Sequence, residues 1–242
     1  MRAALISDIH ANEIALRALL ADIARVRADE IVCLGDVATL GPRPGTVIEI
    51  LRECVCTCVM GNHGEFLVDP ALFHTYSEQK PVIEAVEWCR SGLARADLDF
   101  VRGFQRTCQI RLDDRSTLPV FHGSPLSNRV DILATTSTDE LDELLAGHVA
   151  TVMAGGHTRV QVLRRYRGTL LVNPGSVGLP IEEYITGRAP TLLTDAEYAT
   201  VEAAGGRLSV RWHRVPLDCK SLREAAQASD VPLRDLLVQQ YS

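Results

Sequence analysis

The feature that most constrains this chain is a set of short polar signatures, each at the end of an apolar run. Asp8-Ile9-His10 closes the run that begins at Arg2, and Gly35-Asp36 follows the run from Glu30 to Leu34. Gly61-Asn62-His63 follows Cys54 to Met60, His122-Gly123 follows Leu118 to Phe121, and Gly156-His157-Thr158-Arg159 follows Val149 to Ala154. Short apolar runs bounded by turn residues read as buried strands. Strands that end in polar residues at one edge of a sheet bring those residues together, whatever their separation in sequence. Asp8, His10, Asp36, Asn62, His63, His122 and His157 are the side chains so gathered. Carboxylates, imidazoles and an amide form a mixed oxygen and nitrogen set, which suits Mn²⁺, Fe²⁺ or Zn²⁺ better than a soft, thiolate-bound ion.

The intervening chain reads as alternating elements. Residues 2–6 form a first strand. Residues 12–28 carry Ile14, Leu16, Leu19, Leu20, Ile23 and Val26 at helical spacing, with Asn12 as the cap. With the strand at 30–34 they make a βαβ unit, so the early sheet is expected to be parallel. Gly41-Pro42-Arg43-Pro44-Gly45 is a rigid loop before a helix over 46–52 and a Cys-rich strand over 54–60. Residues 66–76 read as loop or short helix, and 78–95 as a helix with Pro81 near its start. Strands over 107–112 and 118–121 flank a turn at 113–116, and a helix over 139–145 is capped by Thr138. Strands follow over 149–154, 160–166 and 169–172, the last two joined at Arg167-Gly168. Asn173 to Gly178 is a fixed turn, followed by a permissive stretch to Pro190. A meander over 191–194, 198–203 and 208–215 comes next, then helices over 219–228 and 231–241 capped by Asp218 and Asp230.

At 242 residues the chain fits a single domain, 1–242, with 218–242 as a C-terminal helical extension. A net charge of −6 argues against general nucleic-acid or anionic-membrane binding. No apolar run reaches membrane-spanning length, and the apolar start is too short for a signal peptide, so a cytoplasmic protein is expected. The cysteines are scattered. Cys54, Cys56 and Cys58 would share one face of a strand at about 6.6 Å spacing and fill core space.

The signatures occur in the order Ser7-Asp8-Ile9-His10-Ala11-Asn12, Gly35-Asp36, Gly41-Pro42-Arg43-Pro44, Gly61-Asn62-His63, His122-Gly123-Ser124-Pro125, Gly156-His157-Thr158 and Asn173-Pro174-Gly175-Ser176-Val177-Gly178. In these residues the chain resembles the calcineurin-like metallophosphoesterases, most closely their small prokaryotic phosphodiesterase-like branch. The resemblance implies an α/β fold (α+β by some schemes), a four-layer αββα sandwich with two mixed β-sheets. It implies two divalent metal ions, Mn²⁺ favoured over Fe²⁺, Ni²⁺, Zn²⁺ or Mg²⁺. Asp36 would bridge them, Asp8 and His10 would hold the first, and Asn62, His122 and His157 the second. His63 would protonate the leaving group or stabilise the equatorial phosphate oxygens. The implied reaction is hydrolysis of a small phosphoester, most readily a phosphodiester, by a metal-bridging hydroxide.

Two positions depart from the family pattern. Gly64 stands where an acid is usual, with Glu65 one residue later as a substitute for orienting His63. Arg159 stands where the family has a metal-binding His. A guanidinium offers only donors and stays charged, so Arg159 is expected to turn from the ion and meet a carboxylate or a substrate phosphate. The first site would then be the weaker. Asn12 is either a helix cap or a phosphate contact. Two other readings share these residues: a phosphomonoesterase, including a phosphoprotein phosphatase or dinucleoside-polyphosphate hydrolase, and a binding or regulatory protein with a weakened site. The sequence names no oligomeric partner.

Overall fold

The computed structural model describes residues 1–75, 79–184 and 190–242. Strand β1 (Arg2–Ile6) is apolar and buried after Arg2 because both of its faces are covered. Ala4 and Ile6 join one core while Ala3 and Leu5 join another, the period-two alternation of a strand in an inner layer. Asn12 starts helix α1 (Glu13–Val26), its Oδ1 accepting from the Ala15 N–H at 3.0 Å. That helix buries Ala15, Leu16, Leu19 and Ile23. It returns the chain to β2 (Glu30–Cys33), parallel to β1. Helix α2 (Pro44–Glu53) then leads to β3 (Thr57–Cys58), parallel to β2. Strands β9 (Asp195–Ala204) and β10 (Arg207–Pro216) add to the opposite edge, giving the order β10-β9-β1-β2-β3.

The second sheet contains β4 (Thr107–Arg111), β5 (Thr117–Phe121), β6 (Val152–Ala154), β7 (Gln161–Tyr166) and β8 (Thr169–Pro174), in the order β4-β5-β6-β8-β7. It is mixed, with β5, β6 and β8 parallel and both edge strands antiparallel. Leu5, Val32 and Leu34 of the first sheet pack with Leu118, Val120 and Val152 of the second. The outer face of the second sheet presents Phe121, Met153 and Leu171 to Leu141 and Leu145 of α6 (Thr138–Leu145). Helices outside two stacked, mixed sheets make the four-layer αββα sandwich. Helices α3 (Asn62–Val68), α4 (Lys80–Ser91) and α5 (Arg95–Arg102), with a 3₁₀ turn over Pro70–Thr75, fill one flank. Helices α7 (Cys219–Gln227) and α8 (Arg234–Gln240) pack onto that flank through Leu222, Leu237 and Tyr241 against Phe66 and Phe73. Among the described residues no helix is long and apolar enough to cross a membrane.

Several local expectations need correction. The Cys-rich strand is only Thr57–Cys58, because α2 runs on to Glu53, Cys54 ends it, and Val55 takes a left-handed φ of 48°. Helix α5 lies in a stretch after residue 95 to which the sequence assigns no element. Its N-terminus has no polar cap residue, but Asp97 accepts from the Ala94 N–H at 3.0 Å. Ser137 rather than Thr138 caps α6, paired reciprocally with Glu140. Asp230 caps nothing, since the last helix begins at Arg234 behind Leu233. Residues 191–194 form no strand beyond an isolated bridge between Ile181 and Leu192. The expected boundaries at Tyr76 and Glu78, and the permissive stretch over 185–189, fall outside the described residues.

Glu197 on β9 is a buried acid whose Oε1 lies 3.0 Å from Arg214 Nη2 and whose Oε2 has no hydrogen-bond partner among the described residues. Burial raises its carboxyl to about 7, with Arg214 opposing the rise. The folded chain therefore holds this proton more tightly than the unfolded chain, whose value is 4.5. Stability falls as pH rises from there to about 7, by at most about 3 kcal/mol. Glu197→Gln should raise the melting temperature at pH 8 and leave it nearly unchanged at pH 5. An equal difference at both pH values counts against this account.

Candidate metal centre

The gathering expected at the strand ends is found. Asp8, His10 and Asp36 each present a ligand atom within 4.8 Å of the other two, and so do Asp36, His122 and His157. Asp36 belongs to both groups. Asp8, His10, Asp36, Asn62 and His122 are at most 2% exposed. The His157 side chain is 8% exposed.

Backbone bonds lace the loops that carry these residues. Asp8 N–H donates to Gly35 O at 3.0 Å, His10 N–H to Asp36 O at 3.0 Å, and Ala11 N–H to Val37 O at 2.8 Å, so the first two signatures are zipped together. Gly156 N–H donates to His122 O at 2.7 Å, joining the fourth signature to the fifth. The Asn173–Gly178 turn closes on the first: Val177 N–H reaches Ser7 O at 2.9 Å and Ser176 Oγ reaches Asp8 O at 2.7 Å. Asp36 Oδ1 accepts from His63 N–H at 3.0 Å at the start of α3. A Cβ on Gly61 would stand 2.0 Å from that oxygen, so only glycine lets Asp36 approach. Asp8, His10, Asp36, His157 and Arg159 all have φ between 47° and 69°. Non-glycine residues take this left-handed region seldom, and such strain concentrates at functional sites.

The hydrogen-bond directions test whether these residues fit a cation. His122 Nδ1 lies 2.6 Å from Leu34 O, which can only accept, so Nδ1 carries the hydrogen. In the neutral ring Nε2 is then a lone pair. It faces Asn62 Oδ1 at 3.0 Å, Asp36 Oδ2 at 3.2 Å and His157 Nδ1 at 3.3 Å. Acceptors converge on acceptors, an arrangement that calls for a positive charge between them. Asp8 Oδ1 is likewise fully buried without a hydrogen-bond partner among the described residues. For the protein atoms alone a proton must serve: burial lowers His122, but Asp36 and Asp8 outweigh it and push the imidazole up to about 9. Burial also raises both carboxyls, yet the facing imidazoles hold Asp8 and Asp36 below the ordinary carboxylate range. The donor set fits divalent ions of the Mn²⁺, Fe²⁺ and Zn²⁺ kind.

Other candidates are placed as follows. Asn12 is 6% exposed, with its amide nitrogen donating to Gly178 O at 3.0 Å while its oxygen caps α1. Glu65 does not orient His63, because its carboxylate is held by Arg106 at 2.8 Å and Arg129 at 3.1 Å. His63 Nδ1 is buried with no hydrogen-bond partner among the described residues, and the ring stands edge-on to His10 at 5.2 Å. Arg159 is half-buried and has no carboxylate partner among the described residues, yet its charge is felt at His63. One residue escaped the sequence reading. Asp131 Oδ1 lies 3.4 Å from His157 Nε2, and Tyr184 donates to Asp131 Oδ2 at 2.5 Å. A carboxylate behind a ligating imidazole fixes its tautomer and raises its basicity. Asp131 sits in a loop with no motif to mark it.

Residues 1–194 match the calcineurin-like phosphoesterase superfamily domain. The chain belongs to the calcineurin-like phosphoesterase superfamily. It is 25% identical over 192 residues to an uncharacterised protein of Methanocaldococcus jannaschii, covering 73% of this chain and 76% of that one. A metallophosphoesterase from Sphaerobacter thermophilus superposes with a TM-score of 0.76 at 25% identity, covering 100% of this chain and 98% of the other. A hypothetical protein from Pyrococcus horikoshii gives 0.82 at 17% identity over 98% and 96% of the two chains, a likeness of fold. For a member of this superfamily, two Asp/His clusters that share a carboxylate make a metal-binding site compatible with metal-dependent phosphoester hydrolysis.

Asp131→Ala should weaken one metal ion by about 10- to 100-fold and leave the other unchanged, read by calorimetric titration without substrate. Unaltered affinity for both ions would remove Asp131 from the site.

Proposed function

We propose that this protein hydrolyses a small phosphodiester, as a member of the small prokaryotic phosphodiesterase-like branch, with two divalent ions of which Mn²⁺ is favoured. The observation that carries the reading is Asp36, the one carboxylate common to both buried clusters. Asp8 and His10 would hold one ion, Asn62, His122 and His157 the other, and Asp36 both. Bound there, two such ions supply Lewis acidity toward phosphoryl oxygens and acidify water at neutral pH. The whole chain acts as one domain in this reading, with residues 218–242 as an extension, working in the cytoplasm.

The chain's own groups divide the remaining work. Burial holds the His63 imidazole low, at about 3, with Asp36 opposing and His10 and Arg159 adding to the fall. His63 is then neutral near pH 7 and offers a single N–H. That suits a hydrogen bond to a phosphoryl oxygen better than protonation of a departing alkoxide. Arg159, lacking a carboxylate partner among the described residues, keeps its two-pronged donor face for a phosphate. Its substitution for a ligating His leaves Asp8, His10 and Asp36 as the first ion's protein ligands, so that ion is the weaker.

The test is a purified-protein assay with bis(nitrophenyl) phosphate and nitrophenyl phosphate, Mn²⁺ added. Faster diester hydrolysis is expected. Faster monoester hydrolysis replaces the reading with a phosphomonoesterase, and no hydrolysis of either with both ions bound leaves a binding protein. Asp36→Asn should lose both ions and more activity than any single-ion ligand variant. His63→Ala should keep both ions and slow turnover by roughly 10²- to 10⁴-fold. That loss should be equal for good and poor leaving groups, and a loss that grows with leaving-group pKa assigns proton donation instead. Arg159→His should tighten the weaker ion while raising KM at saturating metal. Two equally tight ions in the parent protein would overturn the account of Arg159.

A further inference from the structure

A cavity of about 130 Å³ shares His10 with the metal cluster. Its apolar wall is made by Ile14, Leu179, Leu222, Ala226, Leu237 and Tyr241. Most of that wall comes from α7, α8 and the residue that ends α8, beyond the 1–194 segment that matches the superfamily domain. The polar groups around the cavity are largely committed. Asn12 is bonded at both ends of its amide, Glu13 meets Arg17 at 2.8 Å, and Tyr241 reaches Gly178 O at 3.5 Å. Arg43 also lines it, exposed and with no carboxylate partner among the described residues. An apolar hollow that abuts a metal cluster, with a free cation beside it, is shaped for an ester whose phosphate stays with the charged groups.

We infer that this cavity receives the organic group of the phosphoester, and that the group is a small apolar or aromatic one about the size of a six-membered ring. The inference rests on the phosphoesterase reading and names its substrate class. The volume sets the scale: an apolar cavity of about 150 Å³ accepts benzene, whereas sites for drug-sized ligands measure roughly 300–1,000 Å³. A nucleoside needs both more room and several uncommitted hydrogen-bonding groups, and the wall offers neither. Discrimination then comes from shape, which in a hydrophobic pocket is worth roughly 10- to 200-fold per methylene.

The experiment uses nitrophenyl phosphodiesters with one leaving group and a methyl, phenyl or naphthyl second ester, on the Mn²⁺-loaded full chain. The phenyl ester should show a KM at least tenfold below the methyl ester. Ala226→Trp, which fills the hollow, should reduce that preference below twofold, while Leu236→Ser, exposed on the same C-terminal helix, should keep it. Leu237→Ala, which enlarges the hollow, should move the optimum from phenyl toward naphthyl and serves if the tryptophan variant does not fold. Calorimetric binding of the methyl ester of phenylphosphonate, compared with that of methylphosphonate, reads the same preference without turnover. Hydrolysis of all three diesters with equal KM and no phosphonate preference overturns the pocket and leaves the phosphoesterase reading standing. A phosphonate preference lost in Ala226→Trp, without hydrolysis of any ester, upholds the pocket and overturns that reading.

Discussion

The centre of this protein is organised around one electrostatic conflict. The backbone carbonyl of Leu34 fixes the hydrogen of His122 on Nδ1, and the opposite nitrogen then faces an amide oxygen, a carboxylate and a second imidazole. Lone pairs at such distances repel in a buried, low-dielectric setting, where an unpaired polar group costs roughly 1–3 kcal/mol or more. The fold nevertheless holds them there, because each belongs to a loop pinned by bonds unrelated to the conflict. A divalent cation turns the same arrangement from repulsive to attractive. Among the described residues no lysine or arginine is bonded to either central carboxylate, so a cation there would supply the positive charge that the imidazoles alone provide through protonation.

Holding that geometry requires backbone that most sequences avoid. Asp8, His10, Asp36 and His157 adopt left-handed dihedrals, each at a cost of order 1–3 kcal/mol. The cost is offset by the lacing of the first two signatures and by the Asn173–Gly178 turn, which approaches so closely that a Cβ on Gly178 would overlap Ile9 O at 1.8 Å. Aspartate and histidine tolerate this region better than bulky residues do. The candidate ligand types therefore also suit the turns they occupy.

Much of this was legible in the chain itself, for a physical reason. A buried strand must end, and where it ends in Asp, Asn or His beside Gly the side chain and the turn leave a joint signature; Asp36, His122 and His157 were readable on that basis, and Asp8 from its place at the end of the first apolar run. The cap at Asn12 was readable because its amide satisfies an otherwise orphaned N–H. Asp131 was not, since its role depends on where a loop brings it relative to His157, and a lone loop aspartate carries no periodicity. The cavity was equally hidden, because Ile14, Leu222 and Leu237 follow ordinary helical core spacing. The Cys-rich segment misled because apolar alternation continues across the end of α2, and periodicity does not reveal the left-handed turn at Val55.

The position of β1 in its sheet also ties together distant parts of the chain. One of its edges pairs in parallel with β2, close behind it in the chain, while the other waits for β9, where Leu5 meets Ala199. Until β9 is made, the strand that carries Asp8 has an open row of N–H and C=O groups in the middle of an apolar layer. Such late, non-local closure slows folding and exposes sticky edges on the way. The loop that carries Asp8 follows β1 directly, but the sheet that supports it is complete only when β9, far along the chain, pairs with that strand.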